Sequence, residues 1–229
     1  MKSMKTKLKK TLDLVAIVIG AAGTIAATGN WNTKVVETER GHLVGNPEAK
    51  TTLTEFVSYT CPHCAHFAIE GEAPLQMAYV GPGKMKMEIR PYIRNVVDLV
   101  ASRLVQCGPE KKFLQNHTMF MIRQSSWLPI AQKATPAQLQ RWARGDAAGF
   151  REAASALGFY DMMKTRGYDN VAVDTCLADK AAMDKLVANT LDDAKTFGVK
   201  STPSFAVDGK LLPGVHGWPA LQKALSTNF

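Results

Sequence analysis

The chain has 229 residues, 46% of them hydrophobic, with 28 Lys and Arg against 20 Asp and Glu for a formal net charge of +8. That length supports one core or a core with a satellite domain, and the lack of internal repeats or low-complexity tracts excludes repeat arrays and biased chains. Residues 1–28 hold five Lys and one Asp; the remaining +4 is scattered among acids, as at Lys84, Lys86, Glu88 and Arg90, which reads as solvated faces and not as a nucleic-acid patch.

In chain order, Lys2, Lys5, Lys7, Lys9 and Lys10 open the sequence without an acid, and an apolar stretch runs from Leu12 to Ala27. A basic start, an apolar middle and Ala27-Thr28-Gly29 as a small-x-small site match an export signal; uncut, the segment is near the lower length limit for a membrane anchor. Residues 1–29 are therefore expected to be a signal peptide or N-terminal anchor, with the folded part outside the cytoplasm, where disulfides persist. Residues 30–48, with Gly41, Gly45, Asn46 and Pro47, read as an extended lead-in to the first sheet strand.

Thr52–Ser58 carries apolar residues on both faces, which suits a strand covered on both sides. Pro62 fits the first position of a helix, because the N–H it lacks has no partner there. That helix should bend near Gly71 and Pro74 and stop at Gly81-Pro82-Gly83. Met85 to Arg90 follows as a second strand, with Met85, Met87 and Ile89 on one face and charged residues on the other.

From Asn95 to about Gln132 the apolar spacing is helical, broken at Gly108-Pro109, and Thr135-Pro136 looks like an N-cap leading a helix through Leu139 and Trp142. Ala147 to Leu157 and Asp174 to Phe197 add helix, the last ending at Gly198. Period two then returns in a hairpin, Ser204 to Val207 and Lys210 to Leu212, turned by Asp208-Gly209, before a closing helix from Pro219 to Ser226. The order is βαβ, many helices, then ββα. It predicts an α/β thioredoxin-like fold, a central mixed sheet flanked by helices, with its first half in residues 49–94, an inserted all-helical domain in 95–184 and its second half in 185–229.

The chemistry is concentrated at Cys61-Pro62-His63-Cys64, entered from a strand and matched far downstream by Thr202-Pro203. A cysteine at a helix N-terminus has its thiolate stabilised by unpaired N–H groups and the helix dipole, and His63 adds a cation or donor beside it. A lowered pKa makes Cys61 a good leaving group and the Cys61–Cys64 disulfide an oxidant, with Cys64 the buried partner one turn in. A cis bond at Pro203 would leave the Thr202 backbone free to pair with an extended substrate. A zinc site needs two further ligands, which neither Cys107 nor Cys176 supplies with a Cys or His at ligand spacing, so no metal and no cofactor is expected. His66 and His117 read as helix-packing residues.

The segments Glu55-Phe56-Val57-Ser58-Tyr59-Thr60-Cys61-Pro62-His63-Cys64 and Gly198-Val199-Lys200-Ser201-Thr202-Pro203-Ser204-Phe205 resemble the DsbA family of periplasmic thiol:disulfide oxidoreductases. The family's low cysteine pKa and oxidising character are general examples of helix-terminal thiol chemistry. The resemblance implies oxidation of unfolded or partly folded secreted proteins by a periplasmic enzyme, with reoxidation by a membrane quinone-linked partner. It implies Cys61 as the nucleophile, Cys64 as the resolving cysteine, Pro203 as a cis-proline and Glu55 as a buried acid that moves the Cys64 proton. Thr202 before Pro203 resembles isomerases as well as some oxidases, which keeps the direction of use open. Cys107 and Cys176 read as two buried thiols or as a second, non-catalytic disulfide; export and a similar arrangement in some bacterial relatives favour the disulfide. A monomer is expected. The alternatives are an isomerase or reductase of the same superfamily, or a metal-binding module using the cysteine pair.

Overall fold

The computed structural model describes residues 30–226, and the export-type segment read in residues 1–29 lies outside them. A six-stranded mixed sheet forms from β1 (Val35–Glu37), β2 (His42–Gly45), β3 (Thr51–Val57), β4 (Met85–Pro91), β5 (Ser204–Val207) and β6 (Lys210–Leu211), in the order β1-β2-β4-β3-β5-β6. Only β3 and β4 pair in parallel, as the intervening helical crossover requires. The other neighbours are antiparallel.

That crossover is α1 (Pro62–Glu70), the short α2 (Glu72–Leu75) and a π-helical turn over Gln76–Val80, so the helix yields near Gly71 and Pro74 as the sequence predicts. Between β4 and β5 lie α3 (Val96–Val105), α4 (Phe113–Ile122), α5 (Gln124–Gln132), α6 (Pro136–Trp142), α7 (Ala147–Ala156), α8 (Phe159–Lys164), α9 (Asn170–Ala178) and α10 (Lys180–Phe197). The chain closes with α11 (Trp218–Ser226). Thr135 and Gln138 form a reciprocal capping box at α6, Gly198 ends α10 in the left-handed region, and Asp208 and Gly209 turn the last hairpin with φ of 48° and 80°.

Two expectations change. The helix read from Asp174 to Phe197 is two helices, because the Asp179 side chain leaves the helical path to accept the Ala182 N–H at 3.0 Å and cap α10. The lead-in at 30–48 is a pair of sheet strands. Its runs are too short for a clear period, but His42 and Val44 are buried and β2 pairs with β4 along its length. Gly41 permits this approach, since a Cβ there would lie 2.1 Å from the Ile89 carbonyl oxygen.

On β3, Leu53, Glu55 and Val57 share the face turned to the main core, while Phe56 points to the opposite face with Ala206 and Val199. The alternating charges of β4 are not left in water. Arg90 bonds Glu88 at 2.7 Å and Asp193 of α10 at 2.9 Å, and Arg40 reaches the same Asp193 oxygen at 3.1 Å, tying the long helix to the sheet. Gly41→Ala is expected to cost about 2 kcal/mol, because the clash is with backbone and cannot be relieved by a side-chain rotation; the urea midpoint measures it, and an unchanged midpoint refutes the close packing of the β1–β2 turn.

Candidate functional site

The end of β3 delivers the chain to a tight turn at Ser58–Thr60, and Cys61 takes the N-cap position of α1 with extended φ and ψ of −98° and 116°. Pro62 occupies the first helical position, so the N–H groups that follow belong to His63 and Cys64; both approach the Cys61 sulfur, and the Cys64 N–H also donates to the Cys61 carbonyl oxygen at 3.1 Å. As a thiol, Cys61 Sγ donates to the Thr202 carbonyl oxygen at 3.1 Å. The Thr202–Pro203 bond is cis. The Thr202 hydroxyl is buried with no partner among the described residues, which makes it a donor available to a thiolate.

These contacts separate the two sulfurs. The hydrogen bond from the Cys64 thiol, followed by those from Thr202 and the two backbone N–H groups, pulls Cys61 down to about 5 against the opposing effect of burial. Cys64 moves the other way, well above the usual thiol range, because it is buried, gives its hydrogen to Cys61 and faces the charges of Cys61 and Glu55; the Ser58 N–H at 3.5 Å only partly offsets this. At neutral pH the pair therefore holds one thiolate and one thiol, and the thiolate is on Cys61.

Glu55 lies beneath, 1% exposed, with Oε2 unpartnered among the described residues. Burial, then the neighbouring Glu72, pushes its carboxyl well above the usual range. His63 is exposed, and it is its backbone N–H that approaches the sulfur. The structure thus gathers Cys61, Cys64, His63, Thr202, Pro203 and Glu55 at one end of the sheet. Cys107 and Cys176 are joined as a disulfide, with Cα atoms 6.0 Å apart, linking the end of α3 to α9. Among the described residues no cluster of three or more His, Cys, Asp or Glu is arranged to hold a metal ion.

Several residues that hold the site escape sequence reasoning. Asp98 of α3 is fully buried and accepts from Tyr59 N–H at 2.8 Å and Ser58 Oγ at 2.6 Å; burial outweighs these bonds and lifts its carboxyl to about 6. Gln124, the first residue of α5, donates to the carbonyls of Tyr59 at 2.7 Å and Cys61 at 3.0 Å. His216 Nδ1 lies 2.7 Å from the Pro203 carbonyl and braces the other loop. Asn95, which caps α3 through Asp98 N–H, was the one readable signal, since an Asn-x-x-Asp start places an acid at the third helical position. Beside Pro62 a shallow apolar groove of about 440 Å³ runs between α1 and α5, lined by Ala65, Ile69, Ile122 and Leu128. His66 stands at its edge, paired with Glu70.

A family model described as Thioredoxin matches residues 37–227. The chain belongs to the thioredoxin family. A protein-disulfide isomerase from Novosphingobium aromaticivorans is 42% identical, with a TM-score of 0.79 over 82% of this chain and 97% of that one. Wolbachia pipientis alpha-DsbA1, 19% identical, superposes with a TM-score of 0.64 over 81% of this chain and 88% of its own, so the fold is that of the DsbA type, with helices inserted into a thioredoxin sheet. A Rickettsia bellii protein named, provisionally, a protein-disulfide oxidoreductase is 27% identical over 75% of this chain; the match spans 58% of that relative, so the chain covers little more than half of its length.

In this thioredoxin-family chain the Thr202 hydroxyl has a measurable consequence. Thr202→Val keeps the shape and removes the donor, so the thiolate absorbance of Cys61 near 240 nm should titrate about one pH unit higher than in the parent chain, the value of one hydrogen bond to a charged sulfur. Coincident titrations in the two chains rule out a contribution from Thr202.

Proposed function

We propose that the chain is an exported thiol:disulfide oxidoreductase that donates the Cys61–Cys64 disulfide to thiols of unfolded or partly folded secreted proteins. The observation that carries this reading is the opposed behaviour of the two sulfurs, Cys61 held near 5 and Cys64 well above its usual range. A substrate thiolate attacks Cys61, the Cys61–Cys64 bond breaks, and Cys64 leaves as a thiolate that takes the proton of the neighbouring Glu55 carboxyl. A second substrate thiolate then attacks the substrate sulfur of the mixed disulfide, and Cys61 leaves with the electron pair. The substrate has lost two electrons and the cysteine pair has gained them. Because Cys61 is stable as a thiolate, it is the better leaving group and the reaction runs toward substrate oxidation.

The cis-Pro203 loop, with the Thr202 carbonyl at the sulfur, supplies an edge for an extended substrate backbone, and the groove along α1 suits its apolar side chains. In this reading a membrane quinone-linked protein removes the two electrons and restores the disulfide, and the chain acts as a monomer. Among the described residues no helix is long and apolar enough to cross a membrane.

Isomerisation is the second reading. It is favoured by Thr202 ahead of the cis-proline and by the isomerase name of the Novosphingobium relative. Equilibration of the pair with glutathione tests the oxidising direction against a reducing one. An oxidase should give a reduction potential more positive than about −200 mV, whereas a value near the roughly −270 mV of thioredoxin contradicts the oxidase assignment.

A further inference from the structure

A line of buried polar side chains that the exchange steps above leave unused crosses the core under the cysteine pair. The Tyr59 phenol lies 2.8 Å from His117 Nδ1, and His117 Nε2 lies 2.7 Å from Glu72 Oε1. Tyr59 and His117 are fully buried and Glu72 is 5% exposed. The turn before α1, α4 and α2 thus contribute one group each to a single hydrogen-bonded chain.

The order of protons along it follows from Tyr59. Burial and the surrounding acids keep its phenol protonated well above the usual range, so the O–H donates to Nδ1; Nε2 then carries the ring hydrogen and donates to a Glu72 carboxylate. Glu72 is within electrostatic reach of Glu55, and a like charge nearby disfavours ionisation of a second carboxyl. The other ionisable groups facing this cluster are Cys64 on α1, Asp98 on α3 and His42 on β2, the last stacked 3.8 Å from the Phe113 ring and electrostatically coupled to His117.

We propose that Glu72 and His117 are positioning residues that set how readily Glu55 exchanges a proton with Cys64. The inference rests on the oxidoreductase reading above and deepens it. When the pair closes, the ionised fraction of Glu55, which grows as the pH rises, takes the proton of the Cys64 thiol, the new thiolate attacks Cys61 in the mixed disulfide, and the partner thiolate leaves with the bonding electrons. When the pair opens, the same proton returns from Glu55 to the departing Cys64 sulfur. The charge on Glu72 makes Glu55 hold its proton more tightly, and the His117 Nε2–H offsets part of that charge. Removing the one and removing the other should therefore act in opposite directions, which a packing defect does not do.

The test uses the reduced full chain and dithiobis(nitrobenzoate), which releases one coloured aryl thiolate when Cys61 attacks and a second when Cys64 closes the disulfide. The first release, in the wild-type chain, probes the underlying reading: if it is absent, that reading fails. Given the first release, the pH midpoint of the second probes the inference. Glu72→Gln should move that midpoint about one unit lower and His117→Asn about one unit higher, while His117→Gln, which keeps a donor near the Nε2 position, should return it toward wild type. Midpoints that coincide, or that shift in the same direction, overturn the proposal whatever happens to the rates. If His117→Asn lacks a native near-UV circular dichroism spectrum, the comparison of Glu72→Gln with wild type decides alone.

Discussion

The sulfur of Cys61 is held between two parts of the chain 141 residues apart, the first turn of α1 and the loop at Thr202. Each supplies something the other lacks. The helix start offers the backbone N–H groups of His63 and Cys64, and a thiolate is a favourable ligand for them. The Thr202 loop adds a hydroxyl donor and a carbonyl edge. Neither half of the site works without the sheet, since antiparallel pairing of β3 with β5, Phe56 opposite Ser204, is what sets the Thr202 loop against the end of β3.

Burial then does opposite things to neighbouring groups according to their partners. Cys61 is buried but surrounded by donors, and its charged form prevails. Cys64 and Glu55 are buried with few donors, and their neutral forms prevail. A single thiolate beside a thiol and a protonated acid is the charge arrangement that disulfide exchange needs, because one sulfur must leave readily while the other must be able to take or give a proton. Asp98, Gln124 and His216 serve this arrangement indirectly, by pinning the backbone of the two loops through bonds of 2.7–3.0 Å to turns that could otherwise move.

What could be read from the sequence was whatever is decided within a few residues. Pro62 at a helix start, the Thr135-Pro136 cap, Gly198 as a helix stop and the Asp208-Gly209 turn all act through local backbone geometry, and the structure carries each of them. The thioredoxin order followed from them. The strands at Val35 and His42 were not legible, because His42 and Val44 pair with Ile89 and Met87 more than forty residues on, and Val35 pairs in turn with Val44. Nor was the role of His117 as more than a packing residue. Its spacing is that of any helix face, and only the fold brings Tyr59 and Glu72 to its two nitrogens.

The environment makes Cys61, and not Cys64, the reactive thiolate at neutral pH and below. Alkylation of the reduced chain with iodoacetamide over a pH series, with the modified cysteine located by mass spectrometry, tests it directly. Labelling is expected at Cys61 with a midpoint near 5, with Cys64 protected across the neutral range. Equal labelling of the two cysteines, or a Cys61 midpoint at the roughly 8.5 of a free thiol, would contradict it.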